Sequence, residues 1–326
     1  MIIDTHAHYT PQAMLDAFNQ RTRDFPSVEL LHDDGRYALN FCGGSQGRPI
    51  MPKLRDADQR CAWLGEQGID HQVCGGWLDS FGYEIPAEEG AAWSRFINEH
   101  LLAATVGRGE LTALASVPLQ DGKLAAEVLR EAVDAGFPGA MIGTQPKGAS
   151  GNLDDPDLDP FWQMASDLGT VLYIHPMFGC GDPRLNDYHM INTVGRGSDT
   201  TTAVARMLFA GHFQKFPAMK VILSHGGGAL PYMLGRLDRN YQTHKDDFAD
   251  PVAGLKGLYF DSVLFDPEAL GFLCRLVGAG RVMLGSDYPF PIGDPQPTKV
   301  VHDCDLDAGA KADILGNTAE ALFGIG

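Results

Sequence analysis

Four short strings carry the residues that could do chemistry together. Asp4-Thr5-His6-Ala7-His8, Tyr173-Ile174-His175-Pro176, Ser224-His225-Gly226-Gly227-Gly228 and Gly285-Ser286-Asp287-Tyr288-Pro289 each close an apolar, strand-like run. Side chains alternate faces along a strand, so His6 and His8 project to one side roughly 7 Å apart and converge on one ion. Imidazoles together with one carboxylate suit Zn²⁺ or a similar borderline divalent ion, with a coordination place left for water. Such an ion lowers the pKa of bound water from about 15.7 to about 7, which makes hydroxide available near neutrality.

The expected ligands are His6, His8, His175 and Asp287. His225 is left over, because it precedes three glycines that would let a substrate approach backbone amides. Histidine as a residue type titrates near about pH 6.5, which suits acid/base work. The alternative is that His225 serves a second metal. Binuclear sites of this kind want a bridging Lys or Glu at the end of the fourth strand, where this chain has Met141-Ile142-Gly143-Thr144-Gln145, with Lys147 just beyond. Two arginines bear on the substrate. Arg236 follows His225 by about three helical turns and Arg48 sits in a polar, glycine-rich stretch. Each is either a solvated surface charge or a fork that grips a planar carboxylate in two places. Of the other histidines, His189 lies nearest the site strings in sequence; His32, His71, His100, His212, His244 and His302 read as surface or core residues.

The elements that must position these groups read as eight short apolar runs, at residues 1–6, 70–75, 111–117, 138–143, 170–175, 219–224, 257–261 and 281–286. Between them lie helix-period segments such as 124–132 and 201–209. Strand and helix alternating over 300 residues argue for a parallel sheet, and eight units predict closure into a (β/α)8 TIM-type barrel. In that fold catalytic groups stand at the C-terminal ends of strands, where all four strings fall. Residues 21–53 are too long for an ordinary loop and are expected to form a lid insertion after the first strand; a second irregular stretch runs from Met177 to Gly197. The whole chain, 1–326, reads as one domain of this kind.

A net charge of −17, from 42 acidic and 25 basic residues with no basic cluster, argues against nucleic acid and anionic membrane surfaces as partners. No apolar run approaches the length of about 18 residues that a membrane span needs, and the N-terminus has no basic leader. Six cysteines without C-x-x-C spacing read as reduced thiols in a cytoplasm.

At the four site strings, and over nearly its whole length, the chain resembles the amidohydrolase superfamily. Within it the resemblance is to the branch of nonoxidative decarboxylases typified by 2-amino-3-carboxymuconate 6-semialdehyde decarboxylase. It extends to Phe81-Gly82-Tyr83, Ser116-Val117-Pro118-Leu119-Gln120-Asp121, Leu234-Gly235-Arg236 and the long string from Arg281 to Pro291. It implies a single Zn²⁺ (or Mn²⁺ or another divalent ion) on His6, His8, His175 and Asp287, with His225 as the acid/base residue. It also implies that Arg48 and Arg236 bind substrate carboxylates, one lent by a neighbouring subunit of a homodimer. The expected activity is decarboxylation of an unsaturated or aromatic carboxylic acid, a small-molecule carboxylate. The segment Met177-Phe178-Gly179-Cys180-Gly181 lacks the Trp expected after the His-Pro pair, which leaves the substrate open. The opening decapeptide also looks like that of hydrolases and hydratases of the same superfamily, acting on amide, lactone or carbon-carbon bonds. Those tend to carry Glu at the strand-eight position, so Asp287 points to decarboxylation.

Overall fold

The computed structural model describes residues 1–44, 47–148, 151–177 and 181–326. Ser45 and Gln46 of the glycine-rich stretch lie outside the described residues, as do Phe178, Gly179 and Cys180 of the segment that departs from the family pattern. Ten strands follow in chain order: β1 Ile3–Tyr9, β2 Val28–Asp33, β3 Arg36–Phe41, β4 His71–Gly76, β5 Leu111–Ala113, β6 Gly139–Gly143, β7 Val171–His175, β8 Lys220–Leu223, β9 Tyr259–Asp261 and β10 Val282–Met283. All eight expected strands are present. The last is the shortest, because after Met283 the backbone leaves the strand pattern while Leu284 still accepts a hydrogen bond from the Thr5 amide at 2.8 Å.

Two parallel sheets result, β1-β4-β5 and β6-β7-β8-β9-β10. Isolated parallel bridges join them at both margins, Ala115 to Ala140 between β5 and β6, and Ala7 to Tyr288 between β1 and the segment after β10. Pairing thus passes through the eight parallel strands in order and, through the segment after β10, back to β1. Every residue of β4, β6 and β7 is buried, the mark of parallel strands covered on both faces. That is why they read in sequence as unbroken apolar runs rather than as alternation.

The covering helices form where the 3.6-residue period predicts. Asp121 caps the helix Gly122–Asp134 by accepting from the amides of Lys123 and Leu124 at 2.9 and 3.0 Å, and its buried stripe includes Ala125, Val128, Leu129 and Ala132. The helix Arg196–Phe209 buries Ala203, Val204, Met207 and Leu208, and a π-helical turn, Ile191–Gly195, precedes it directly. Among the described residues no helix is long and apolar enough to cross a membrane.

The stretch 21–53 contains an antiparallel hairpin that its polar sequence did not announce. Strands β2 and β3 pair from Val28–Phe41 to Asp33–Arg36 across Asp34-Gly35, both at positive φ (45° and 74°), the backbone a two-residue primed turn requires. Phe25 and Phe41 pack on Trp93 with ring centroids 5.2 and 6.1 Å away, tying the insertion to the helix Ala87–Thr105. Phe81, Tyr83, Trp93 and Phe96 are all buried in the core.

Candidate active site and metal centre

The first two site residues come from β1. The Nδ1 of His8 lies 3.3 Å from the Gly76 carbonyl, and that of His6 lies 2.6 Å from Asp261 Oδ2. His175 ends β7 with its Nδ1 2.7 Å from its neighbour's carbonyl, Pro176 O. With each Nδ1–H donated away, each Nε2 lone pair is turned into the site. His225 and Asp287 stand in tight turns after β8 and β10, both at positive φ (53° and 59°), a conformation uncommon outside glycine and concentrated at functional positions.

The five groups meet. Nε2 of His8 is 3.3 Å and Nε2 of His6 3.5 Å from Asp287 Oδ1, while Nε2 of His225 is 3.6 Å from Asp287 Oδ2. The ring of His175 sits 4.7 Å from that of His8, 5.2 Å from His6 and 5.3 Å from His225, centroid to centroid. Donor atoms of His6, His175, His225 and Asp287 all lie within 4.8 Å of one another. The Nε2 atoms of His6, His8 and His175 and Oδ1 of Asp287 are buried without a hydrogen-bond partner. Unpaired buried polar atoms are costly, and here they gather round Asp287, where a divalent cation fits, although His8 stands outside the set whose donor atoms lie within 4.8 Å of one another. His225 belongs to the same cluster and is its most exposed member, at 22% of the side chain.

Burial pushes the His175 imidazole well below its usual range, and the neighbouring His8, His6 and His225 push it further. Burial also lowers His8, despite Asp287. For His6 burial acts downward, yet Asp287 and Asp261 outweigh it and raise the ring. Burial alone would raise Asp287, but the imidazoles of His6, His225 and His8 hold its carboxylate well below the usual range. A ligand set must be deprotonated to bind a cation, and two neutral imidazoles and an ionised carboxylate are already in that form.

Asp261, at the end of β9, escaped the sequence analysis. Besides His6, its Oδ2 accepts from the Tyr173 hydroxyl and the His225 amide, both at 2.9 Å, and its Oδ1 accepts from the amides of Gly226 at 2.8 Å and Val263 at 3.2 Å. One carboxylate thereby orients a ligand and fixes the turn that carries His225. The signal was available: a carboxylate at a strand end, the same pattern as Asp287. Beneath the site, the fully buried Arg60 donates to Gln72 Oε1 at 2.6 Å and to the His8 carbonyl, with Tyr9 and Tyr288 ring centroids 4.8 and 4.9 Å from its guanidinium carbon.

The three glycines after His225 also serve the packing of the turn that carries it. Gly226, Gly227 and Gly228 all have positive φ, and a Cβ on them would lie 2.5 Å from Leu264, 2.8 Å from Phe260 and 2.4 Å from the Gly197 carbonyl respectively. Protein fills the Cβ positions, while Gly228 also lines a cavity of about 760 Å³ with His225 and Asp287. Lys147 stays out of the site as well; it pairs with Asp155 at 3.3 Å.

A cavity of about 210 Å³ opens on His175, His225 and Asp287 and is walled by Arg48, Arg196, Asn192 and Phe290. Arg48 reaches it from the insertion, but its fork already holds Asp79 through two bonds of 2.9 and 2.7 Å. Its guanidinium carbon lies 5.1 Å from the Trp77 ring. Arg236 is exposed on the helix Leu230–Thr243 and lines no cavity beside this site, so the site within one chain does not include it. His189 lines an adjoining cavity of about 510 Å³ with Arg48 and Arg196.

A family model described as amidohydrolase matches residues 3–325. A 2-amino-3-carboxymuconate-6-semialdehyde decarboxylase of Dictyostelium discoideum is 30% identical, over 99% of this chain and 91% of the relative. Among solved structures, 5-carboxyvanillate decarboxylase from Sphingomonas paucimobilis superposes with a TM-score of 0.83 at 24% identity, over 100% of this chain and 99% of that one. A dihydroxybenzoic acid decarboxylase from Polaromonas, crystallised with manganese and 2-nitroresorcinol, gives a TM-score of 0.79 at 21% identity, over 99% and 96% of the two chains.

Proposed function

The chain belongs to the amidohydrolase family, and from that premise we propose that it is a metal-dependent nonoxidative decarboxylase of an unsaturated or aromatic carboxylic acid. The observation that carries the reading is the convergence of buried, unpartnered Nε2 atoms and Asp287 Oδ1 beside a cavity that also holds His225. The relatives' names supply the reaction class; the geometry supplies the parts.

His6, His8, His175 and Asp287 hold the ion, Zn²⁺ in this reading, with Mn²⁺ as the ion recorded in a structural neighbour. When bound, it supplies a positive charge that polarises a substrate oxygen. His225, at the cavity edge, delivers a proton to the carbon that loses carbon dioxide. The carbon–carbon bond breaks, its electron pair stays on that carbon, and the proton takes it up. Asp261 keeps His225 and His6 in place. Phe290 and Leu78 give the planar body of the substrate an apolar wall.

The remaining parts of the reading concern architecture. The two bridged sheets support a (β/α)8 barrel that is one domain over 1–326, with residues 21–53 as a lid across its mouth. Arg48 grips a substrate carboxylate after exchanging or sharing Asp79, and the exposed Arg236 is lent to the site of a second copy in a homodimer. The five described cysteines are free, as suits a cytoplasmic protein.

The test follows carbon dioxide release and loss of a carboxymuconate-type chromophore with metal-replete protein and with His225→Ala. The expected loss of rate in the variant is about 10²–10⁴-fold. Full activity in the variant sinks the assigned role, and turnover of the substrate without carbon dioxide indicates hydrolysis on the same site.

A further inference from the structure

Arg196 is an unassigned cation in the wall of the active-site cavity. It is 9% exposed, and the hydrogen bond it makes among the described residues is one N–H donated to the Pro176 carbonyl at 3.1 Å. No carboxylate lies within ion-pair distance of it among the described residues. Arg48 nearby is neutralised by Asp79, whereas Arg196 is not. It lines the cavity of about 210 Å³ that holds His175, His225 and Asp287, and also the two larger cavities that adjoin it. Asn192, four residues earlier and on the same side of the π-helical turn, lines all three with it. Burial, with the neighbouring charge of Arg48, lowers its pKa to about 10, so it remains a cation at neutral pH.

A buried charge is retained at a cost unless something pairs with it, and a guanidinium presents a planar fork with five N–H donors. Among the described residues only one of those donors is engaged, and Arg196 lines the cavity that adjoins the reacting groups. The structure assigns Arg196 as a specificity-determining residue that pairs with a second anionic group of the substrate, a carboxylate remote from the one that is lost. The inference rests on reading this cavity as the substrate site. It makes the preferred substrate a dicarboxylate with a planar, unsaturated body between its two acids.

The test compares two unreactive probes, benzoate and isophthalate (benzene-1,3-dicarboxylate), titrated into metal-loaded protein by calorimetry. Isophthalate should bind about 10–100-fold tighter than benzoate, the worth of one charge-assisted forked pair. In Arg196→Met the ratio should fall toward unity, in Arg196→Lys it should be partly kept, and in Arg206→Met, which alters an arginine of the same helix held by Asp154, it should stay as in the parent. A parent protein without the preference, or an Arg196→Met protein that keeps it, overturns the inference. If Arg196→Met misfolds, the ratio in Arg196→Lys decides: a ratio as large as the parent's counts against the forked pairing. Decarboxylation is measured separately, so a protein that prefers isophthalate through Arg196 but releases no carbon dioxide defeats the reaction proposed above and leaves this inference standing.

Discussion

Asp261 shows how much of a site can hang on one side chain. Its two oxygens receive His6 Nδ1, the Tyr173 hydroxyl and the amides of His225, Gly226 and Val263, all from a fully buried position. Burial would raise its pKa, but the hydrogen bond and charge of His6 win and keep it ionised. The charge matters because it makes Nε2 of His6 a better donor to a cation and fixes which tautomer is present. Asp261→Asn keeps the shape and removes the charge, and its expected effect is a metal affinity weaker by about 10–100-fold. Competition with a chromogenic chelator measures this directly; an affinity equal to the parent's would show that Asp261 serves the turn alone. His6, His8, His175, His225 and Asp287 could be read from sequence because each follows a strand-like run. Asp261 obeys the same rule but was passed over, since a lone acid closing a three-residue strand looks like the start of an ordinary turn. Arg196 could not be read at all: which way a helical arginine faces depends on the π-helical turn before it and on packing that no local pattern records.

The elements differ in legibility for a related reason. Strands buried on both faces announce themselves as apolar runs, so all eight parallel strands fall where the sequence puts them. The β2–β3 hairpin has polar, half-exposed strands, and only Asp34-Gly35 marks its turn. Glycine likewise means different things in different elements. Gly35 has φ +74°, and a Cβ added there would meet nothing within 4 Å, whereas Gly228 has φ +62° and its Cβ would lie 2.4 Å from the Gly197 carbonyl. Both alanine variants bear a positive-φ backbone cost, of about 1–3 kcal/mol. Only Gly228→Ala also forces apart two backbones, and it should lose at least about 3 kcal/mol in total. Denaturant midpoints of the two variants measure the difference. Equal losses would show that backbone conformation, and not the close approach of the His225 turn to the helix Arg196–Phe209, is what requires glycine at 228.

At the scale of the whole molecule, a chain of net charge −17 offers an anion a cavity that contains Arg48 and Arg196. The two facts are compatible because surface charge is screened beyond roughly 8 Å at physiological salt, while a guanidinium in the cavity wall acts at contact. The same separation of surface from interior governs how stability responds to pH. Surface ion pairs such as Arg95–Glu131 contribute little, but buried histidines contribute much. His212 stands outside the His/Asp cluster, is 5% exposed, and packs on Trp162 and Phe216 with both ring nitrogens unpartnered. Burial lowers its pKa, with Asp154 and Asp159 opposing only in part. The folded protein therefore holds this ring neutral to lower pH than the unfolded chain, which takes up a proton below about pH 6.5. Proton uptake on unfolding makes stability fall as pH drops, by up to about 1.4 kcal/mol per pH unit for one such group, and leaves it unaffected above that range. His212→Phe fills the same apolar site and abolishes that uptake. Measured by urea unfolding at pH 7.5 and 5.5, the variant should gain on the parent as pH falls, the other buried histidines being common to both proteins and cancelling. A difference between the two proteins that does not change with pH would mean that His212 is already protonated, or equally protonated, in both the folded and unfolded states.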